Sequence, residues 1–347
     1  MKPLKQQKVA LIGGAGFIGH NLALELKRLG CGVHVIDGLE VNNLMSFSST
    51  VDEIPNRDLY LQLIYQRLNL LRDARVPLYV QDARDYHALS KLLDKIQPTA
   101  IVLLAAVAHA DRANKDPYST FDHSLRTLEN ALDYSKKSSV EHFVYFSSSM
   151  VYGHFPSGFV TEETPCNPLG IYGALKFAGE KIVIAHQQVF NLPYTIIRPS
   201  ALYGERCVSR RVGQIFIESA MQGLDISLKG DGSDKLDFTY IGDLVNGIVR
   251  VLESPDSRNQ IFNLTYGQSR SIAEMVEILR REFPGIKVTF LPKDNLTPSR
   301  GTLSVEKARK LIGYEPKYPL DVGYISYLRW YQSIWQSLET HGERKAA

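Results

Sequence analysis

Cysteine is scarce in this sequence: Cys31, Cys166 and Cys207 are the only three in 347 residues. They are scattered and odd in number and show no CxxC spacing. That excludes a disulfide framework and points to a reducing cytoplasm. No HExxH occurs and the histidines fall in no ligand spacing, so no metal is expected. Neither sign of charge dominates. A net charge of +3 gives no basic stripe of the kind that nucleic acid or a membrane surface would require. No apolar run reaches the ~18 residues of a membrane helix. The polar start, Met1 to Lys8, leads straight into a strand without a signal peptide. Internal repeats and low-complexity segments are also missing. What is present is 44% hydrophobic and 22% charged, the composition of a globular protein with a sizeable core.

Strand and helix patterns alternate over the first two hundred residues. Short apolar runs at 9–12, 33–36, 78–80, 100–104, 142–146 and 194–197 read as buried parallel strands. Helical patterns lie between them, near 20–29, 86–96, 117–137 and 169–188. Residues 40–76 break the alternation. This excursion is polar, then leucine-rich with a helix of its own, and either shapes a ligand pocket or covers a cofactor. Beyond residue 200, glycines punctuate shorter pieces, with helices near 212–222, 242–253, 271–283 and 321–338. The expected fold is α/β: a doubly wound parallel Rossmann-type sheet with a smaller mixed α/β C-terminal substrate lobe. Residues 1–198 with 237–265 would form the sheet domain, and 199–236 with 266–340 the lobe.

The run Gly13-Gly-Ala-Gly16-Phe17-Ile18-Gly19 follows the first strand and opens a helix. Glycines there allow a tight turn and let backbone N–H groups approach a pyrophosphate at the helix N-terminus. Asp37 ends the second strand, where a carboxylate accepts hydrogen bonds from the adenosine ribose. It would repel a 2′-phosphate, so NAD is favoured over NADP. Asp82 and Ala83, just past the third strand, fall along the adenine edge, although Asp82 could equally cap a helix.

Tyr172 and Lys176 sit at i and i+4 of a helical pattern and so share a face. A free tyrosine, with a pKa of about 10, is a poor base at neutral pH. A nearby ammonium lowers that value. Ser148, upstream at a strand end, supplies a hydroxyl partner.

With these motifs in order the chain resembles the extended short-chain dehydrogenase/reductase family, in its nucleotide-sugar epimerase/dehydratase branch. The resemblance runs over nearly the whole chain. It includes Gly13-x-x-Gly16-x-x-Gly19, Leu104-Ala105-Ala106, Ser147-Ser-Ser-Met-Val-Tyr-Gly153, Tyr172-x-x-x-Lys176 and Arg198-Pro-Ser-Ala-Leu-Tyr-Gly204. It continues through Gly230-Asp-Gly232, Asp237 to Asp243 and Gly313-Tyr-Glu-Pro316. The resemblance implies that Ser148 hydrogen-bonds the sugar oxygen and that Tyr172 takes and returns the hydroxyl proton. Lys176 would hold the nicotinamide ribose and depress the Tyr172 pKa, and Ala105 and Pro199 would border the cofactor. It also implies a homodimer formed through the helices near 117–137 and 169–188.

Departures from the family pattern narrow the chemistry. Dehydratases of the family carry an Asp-Glu pair where this chain has Ser149 and Met150, both expected to face the substrate. A thioether neither donates nor accepts a proton as an acid or base must. The expected activity is therefore an NAD-dependent isomerase of carbohydrate biosynthesis, an epimerase of a nucleotide-diphospho-sugar at a ring carbon, C4 first. Dehydration, decarboxylation and a non-catalytic NAD-binding role are the alternatives. Ser124 stands for a usual helix asparagine, and Leu236 for the usual diphosphate-binding arginine. Arg206, Arg210, Arg211 and Arg300 are the candidates to replace that arginine, with Arg211 and Arg300 preferred.

Overall fold

The computed structural model describes residues 2–48, 54–107, 110–137, 139–292 and 298–346. Strand β1 (Lys8–Ile12) shows how the core is laid out. Val9 and Leu11 point into one hydrophobic cluster, and Ala10 and Ile12 into another on the opposite face. A strand buried on both faces must be apolar throughout, as this one is. Helix α1 (Phe17–Arg28) begins directly at the glycine loop, three residues earlier than the periodicity suggests, and leads past Gly30 (φ +82°) to β2 (Gly32–Asp37). The excursion contains α2 (Leu44–Ser48) and α3 (Arg57–Asp73).

The alternation resumes with β3 (Leu78–Val80), α4 (Tyr86–Ile96) and β4 (Ala100–Leu103). Asp85 caps α4 by accepting the Ala88 N–H at 3.0 Å. The expected 117–137 helix is a composite preceded by α5 (Ala110–Lys115). It runs as α6 (Pro117–Phe121), a π turn over Asp122–Arg126 and α7 (Thr127–Ser135). Then come β5 (His142–Phe146), a 3₁₀ turn over Ser149–Tyr152, β6 (Phe159–Val160), α8 (Gly170–Phe190) and β7 (Tyr194–Arg198).

Beyond β7 lie β8 (Leu202–Tyr203), α9 (Val212–Met221), β9 (Ile226–Lys229), β10 (Lys235–Leu236) and β11 (Thr239–Tyr240). Helix α10 (Ile241–Glu253) leads into β12 (Gln260–Asn263), and β13 (Arg270–Ser271) into α11 (Ile272–Glu282). A capping box between Ser271 and Glu274 starts α11. The chain closes with β14 (Val288–Leu291), β15 (Thr302–Leu303), α12 (Glu306–Ile312) and α13 (Leu320–Ala346).

The main sheet has seven parallel strands in the order β12-β7-β5-β4-β1-β2-β3. The seventh strand, β12, escaped the sequence reading. It is short, comes late in the chain and joins the edge against β7. The order reverses between β1 and β4, so the crevice at their carboxyl ends is the topological switch point where ligands bind in such sheets. The remaining strands form two-stranded pairs. Among the described residues no helix is long and apolar enough to cross a membrane.

Candidate active site

A cleft opens at this switch point. Gly13, Gly16, Phe17, Ile18, Gly19, Asp37, Asp82, Ala83, Ala105 and Arg211 all line it. The glycines are dictated by space. Gly13 has φ +82°, and a Cβ there would sit 2.5 Å from the Ala105 nitrogen. A Cβ on Gly19 would lie 2.4 Å from the Gly14 Cα, so only glycine lets α1 pack onto the loop. Gly16 caps α1 without a side chain, which leaves the first-turn N–H groups for an anion. Asp37 accepts the Ala15 N–H at 2.9 Å and the Leu39 N–H at 2.8 Å. Each carboxylate oxygen keeps a lone pair for a ribose hydroxyl. Burial pushes the Asp37 pKa up, while those two N–H groups and Arg67 pull it back. This cradle fits a dinucleotide with a free ribose 2′-hydroxyl.

Asp82 does not cap a helix. Its carboxylate pairs with Arg84, which also reaches Glu40 at 2.8 Å and His123 at 3.1 Å. Glu40, Asp82 and His123 line the cleft, so this cluster ties the loops after β2 and β3 to the π turn at the adenosine end.

Ser148, Tyr172 and Lys176 come together beyond the ends of β5 and β7. Ser148 caps the 3₁₀ turn, accepting the Met150 N–H at 3.2 Å, and its hydroxyl is near enough to act on the Tyr172 phenol. Ser149 is buried and donates its N–H to the Pro199 carbonyl at 3.0 Å, which fixes the turn to the end of β7. Tyr172, Lys176 and Pro199 are not among the residues that line the cleft; Arg211, which does line it, acts on the Tyr172 phenol by its charge. Burial holds Tyr172 above its ordinary pKa, and Arg211, then Ser148, pulls it back. Lys176, expected from the sequence to lower it, is not among these causes. The buried Lys176 ammonium donates to the Phe146 carbonyl at 2.7 Å and lies over the Tyr145 ring. Burial pushes Lys176 down to about 8, against the upward pull of Glu180.

The four candidate arginines separate into two pairs. Arg206 binds His20 Nε2 at 3.1 Å and Asn21 Oδ1 at 3.4 Å, and Arg210 donates to the Pro55 carbonyl. Arg211 and Arg300 instead lie close enough to repel each other. Burial, then Arg211, lowers Arg300 to about 10, while Asp234 opposes this. Arg300 Nε is buried without a hydrogen-bond partner among the described residues. An unmatched buried donor beside a second cation makes this pair a candidate for holding an anion. Leu236 contributes no charge. It pairs with Arg270 in the β10–β13 ladder and packs on the lobe's hydrophobic core.

Sequence reasoning missed Arg67, on α3. It is fully buried, lines the cleft and acts on Asp37. Its guanidinium donates to the Arg206 carbonyl and to the Asn42 carbonyl. Two turns earlier on α3, Tyr60 donates to Glu218 of α9 at 2.6 Å. The excursion thus joins the cofactor loop to the segment that carries Arg211. The leucine pattern of α3 signalled a helix, but nothing in the sequence marked the one arginine on its buried side.

The chain is similar to known proteins in sequence and in fold. "Uncharacterized UDP-glucose epimerase YtcB" of Bacillus subtilis (strain 168) is 29% identical over 334 residues, covering 95% of this chain and 99% of that protein. "UDP-glucuronate 4-epimerase 4" of Arabidopsis thaliana is 27% identical over 363 residues, covering 98% of this chain and 77% of that one. In three dimensions the chain is similar to the UDP-glucuronic acid 4-epimerase of Bacillus cereus, solved with UDP-glucuronic acid and NAD. The TM-score is 0.83 at 24% identity, over 94% of this chain and 99% of that one. Residues 9–265 match the family described as NAD dependent epimerase/dehydratase. That is most of the chain, and the chain belongs to this enzyme family, with NAD as its cofactor.

Proposed function

We propose that the protein is an epimerase of a nucleotide-diphospho-sugar, acting at C4 of the sugar ring. The observation that carries this reading is that Ser148 acts on the Tyr172 phenol, from a turn whose next two residues are Ser149 and Met150. Bound NAD supplies a reversible two-electron acceptor for a sugar carbon. The protein residues manage the proton. Tyr172 takes it from the sugar hydroxyl, Ser148 holds the same oxygen, and Lys176 keeps a positive charge beneath the site. With NAD bound, hydride would return to the opposite face of the turned keto sugar and invert the centre, while Tyr172 gives the proton back to its oxygen. No carboxylic acid stands at 149 or 150 to drive elimination, which favours epimerisation over loss of water or carbon dioxide.

In this reading residues 1–198 with 237–265 hold the cofactor, and 199–236 with 266–340 hold the substrate. Arg211 and Arg300 take the diphosphate in place of an arginine at position 236. UDP-sugars are the first substrates to test, on the names of the relatives. The protein pairs as a homodimer through α6 and α8, which leave Tyr118, Phe121, Val189 and Phe190 exposed. Three free thiols suit a reducing cytoplasm. The test is incubation with a panel of UDP-sugars, read by mass spectrometry and proton NMR. Epimerisation leaves the mass unchanged and inverts one ring centre. A product lighter by water or carbon dioxide would refute it.

A further inference from the structure

We propose that Glu180 is a positioning residue of this reaction: clamped by Arg198 behind the active-site helix, it keeps the Lys176 ammonium charged and holds the Ser147–Ser148 turn in place. The inference rests on the reading that Ser148, Tyr172 and Lys176 form the reaction centre. Glu180 lies one turn beyond Lys176 on α8 and is 1% exposed. Arg198 of β7, 3% exposed, meets it with two hydrogen bonds, Nε to Oε1 at 2.9 Å and Nη2 to Oε2 at 2.7 Å. Oε1 also accepts the Ser147 hydroxyl at 2.5 Å. The network continues outward: Arg198 Nη1 donates to the Tyr152 hydroxyl at 2.9 Å, which donates to Asn263 Oδ1 at 2.8 Å. A buried ion pair is costly to maintain, and its retention here calls for a reason beyond stability.

The surroundings of Lys176 supply that reason. Tyr172 and Glu180 share its helix and Tyr145 of β5 lies under the ammonium; Arg198 of β7 holds Glu180, Cys166 before α8 feels Arg198 and Glu180, and Arg211 before α9 acts on Tyr172. Glu180 is the carboxylate that acts on the ammonium. The ammonium's own hydrogen bond goes to a neutral carbonyl, Phe146 O, which offers less to a buried cation. Through Ser147 the same carboxylate holds the residue next to Ser148. One side chain therefore sets both the charge below the phenol and the position of its hydroxyl partner.

The test uses the full-length protein as purified, with lysine carrying ¹³C at Cε. The Lys176 resonance is assigned by its loss in Lys176→Arg. Wild type should titrate near the value of about 8 that burial imposes. In Glu180→Gln the midpoint should fall by about one pH unit or more. The basic limb of the kcat/KM profile should move down with it. Glu180→Gln/Arg198→Met removes both charges, leaves no lone buried ion and should show the same two shifts if the single variant does not fold. A folded variant whose midpoint or basic limb coincides with wild type overturns the proposal. Tyr172→Phe, assayed alongside, tests the underlying reading separately: full turnover there defeats the reaction centre, while the lysine titration still decides Glu180.

Discussion

Arg211 acts on the Tyr172 phenol while lining the cofactor cleft, so a residue of the substrate segment tunes the proposed base. The sign of its effect is testable. Burial raises the Tyr172 pKa and Arg211 lowers it, so Arg211→Met should raise it further. A base with a higher pKa is less ionised at neutral pH, so the acid limb of the kcat/KM profile should move to higher pH. An unmoved limb would confine Arg211 to substrate binding.

Tyr172→Phe keeps the ring and removes the proton acceptor. Turnover should fall by about 10²–10⁴-fold, the usual worth of a positioned acid–base group. Cofactor analysis of the purified variant should still find NAD, because the glycine loop and Asp37 are untouched.

Arg300→Met should act mainly on KM. Losing charge-assisted hydrogen bonds to a diphosphate costs about 1.5–3 kcal/mol, or roughly 10- to 100-fold in affinity. Isothermal titration with UDP alone isolates that effect from the chemistry. Equal UDP affinity in the variant would remove Arg300 from the diphosphate site.

Arg67→Met should destabilise the protein by about 1–3 kcal/mol, the usual cost of leaving a buried hydrogen-bond partner unsatisfied. Denaturant unfolding measures the loss. The variant leaves the Arg206 and Asn42 carbonyls without their donor, so it should also release NAD more readily. A variant as stable as wild type would show that α3 does not join the two segments.

The sheet was legible because buried parallel strands are apolar runs and their glycine and carboxylate punctuation is local. The cofactor cleft followed from Gly13 to Gly19 and Asp37 for the same reason. Strand β12 was not legible: of its four residues Gln260 and Asn263 are polar, so no apolar run marks it. The π turn at Asp122–Arg126 keeps a helical hydrophobic pattern and so reads as plain helix. Charge relations were the least visible. The sequence preferred Arg211 and Arg300 but held no sign that these two lie close enough to repel each other while Arg206 and Arg210 bind His20, Asn21 and Pro55. Nor does the Tyr172-x-x-x-Lys176 spacing reveal that the lysine is held by the Phe146 carbonyl and backed by Glu180.

The most direct test of the account follows a label at the reacting carbon. A UDP-sugar carrying deuterium at C4 is incubated to equilibrium, and its product is read by NMR and mass spectrometry. The account predicts a C4 epimer of unchanged mass with the deuterium still on C4. Deuterium lost to solvent, or inversion at another carbon with C4 intact, would contradict it.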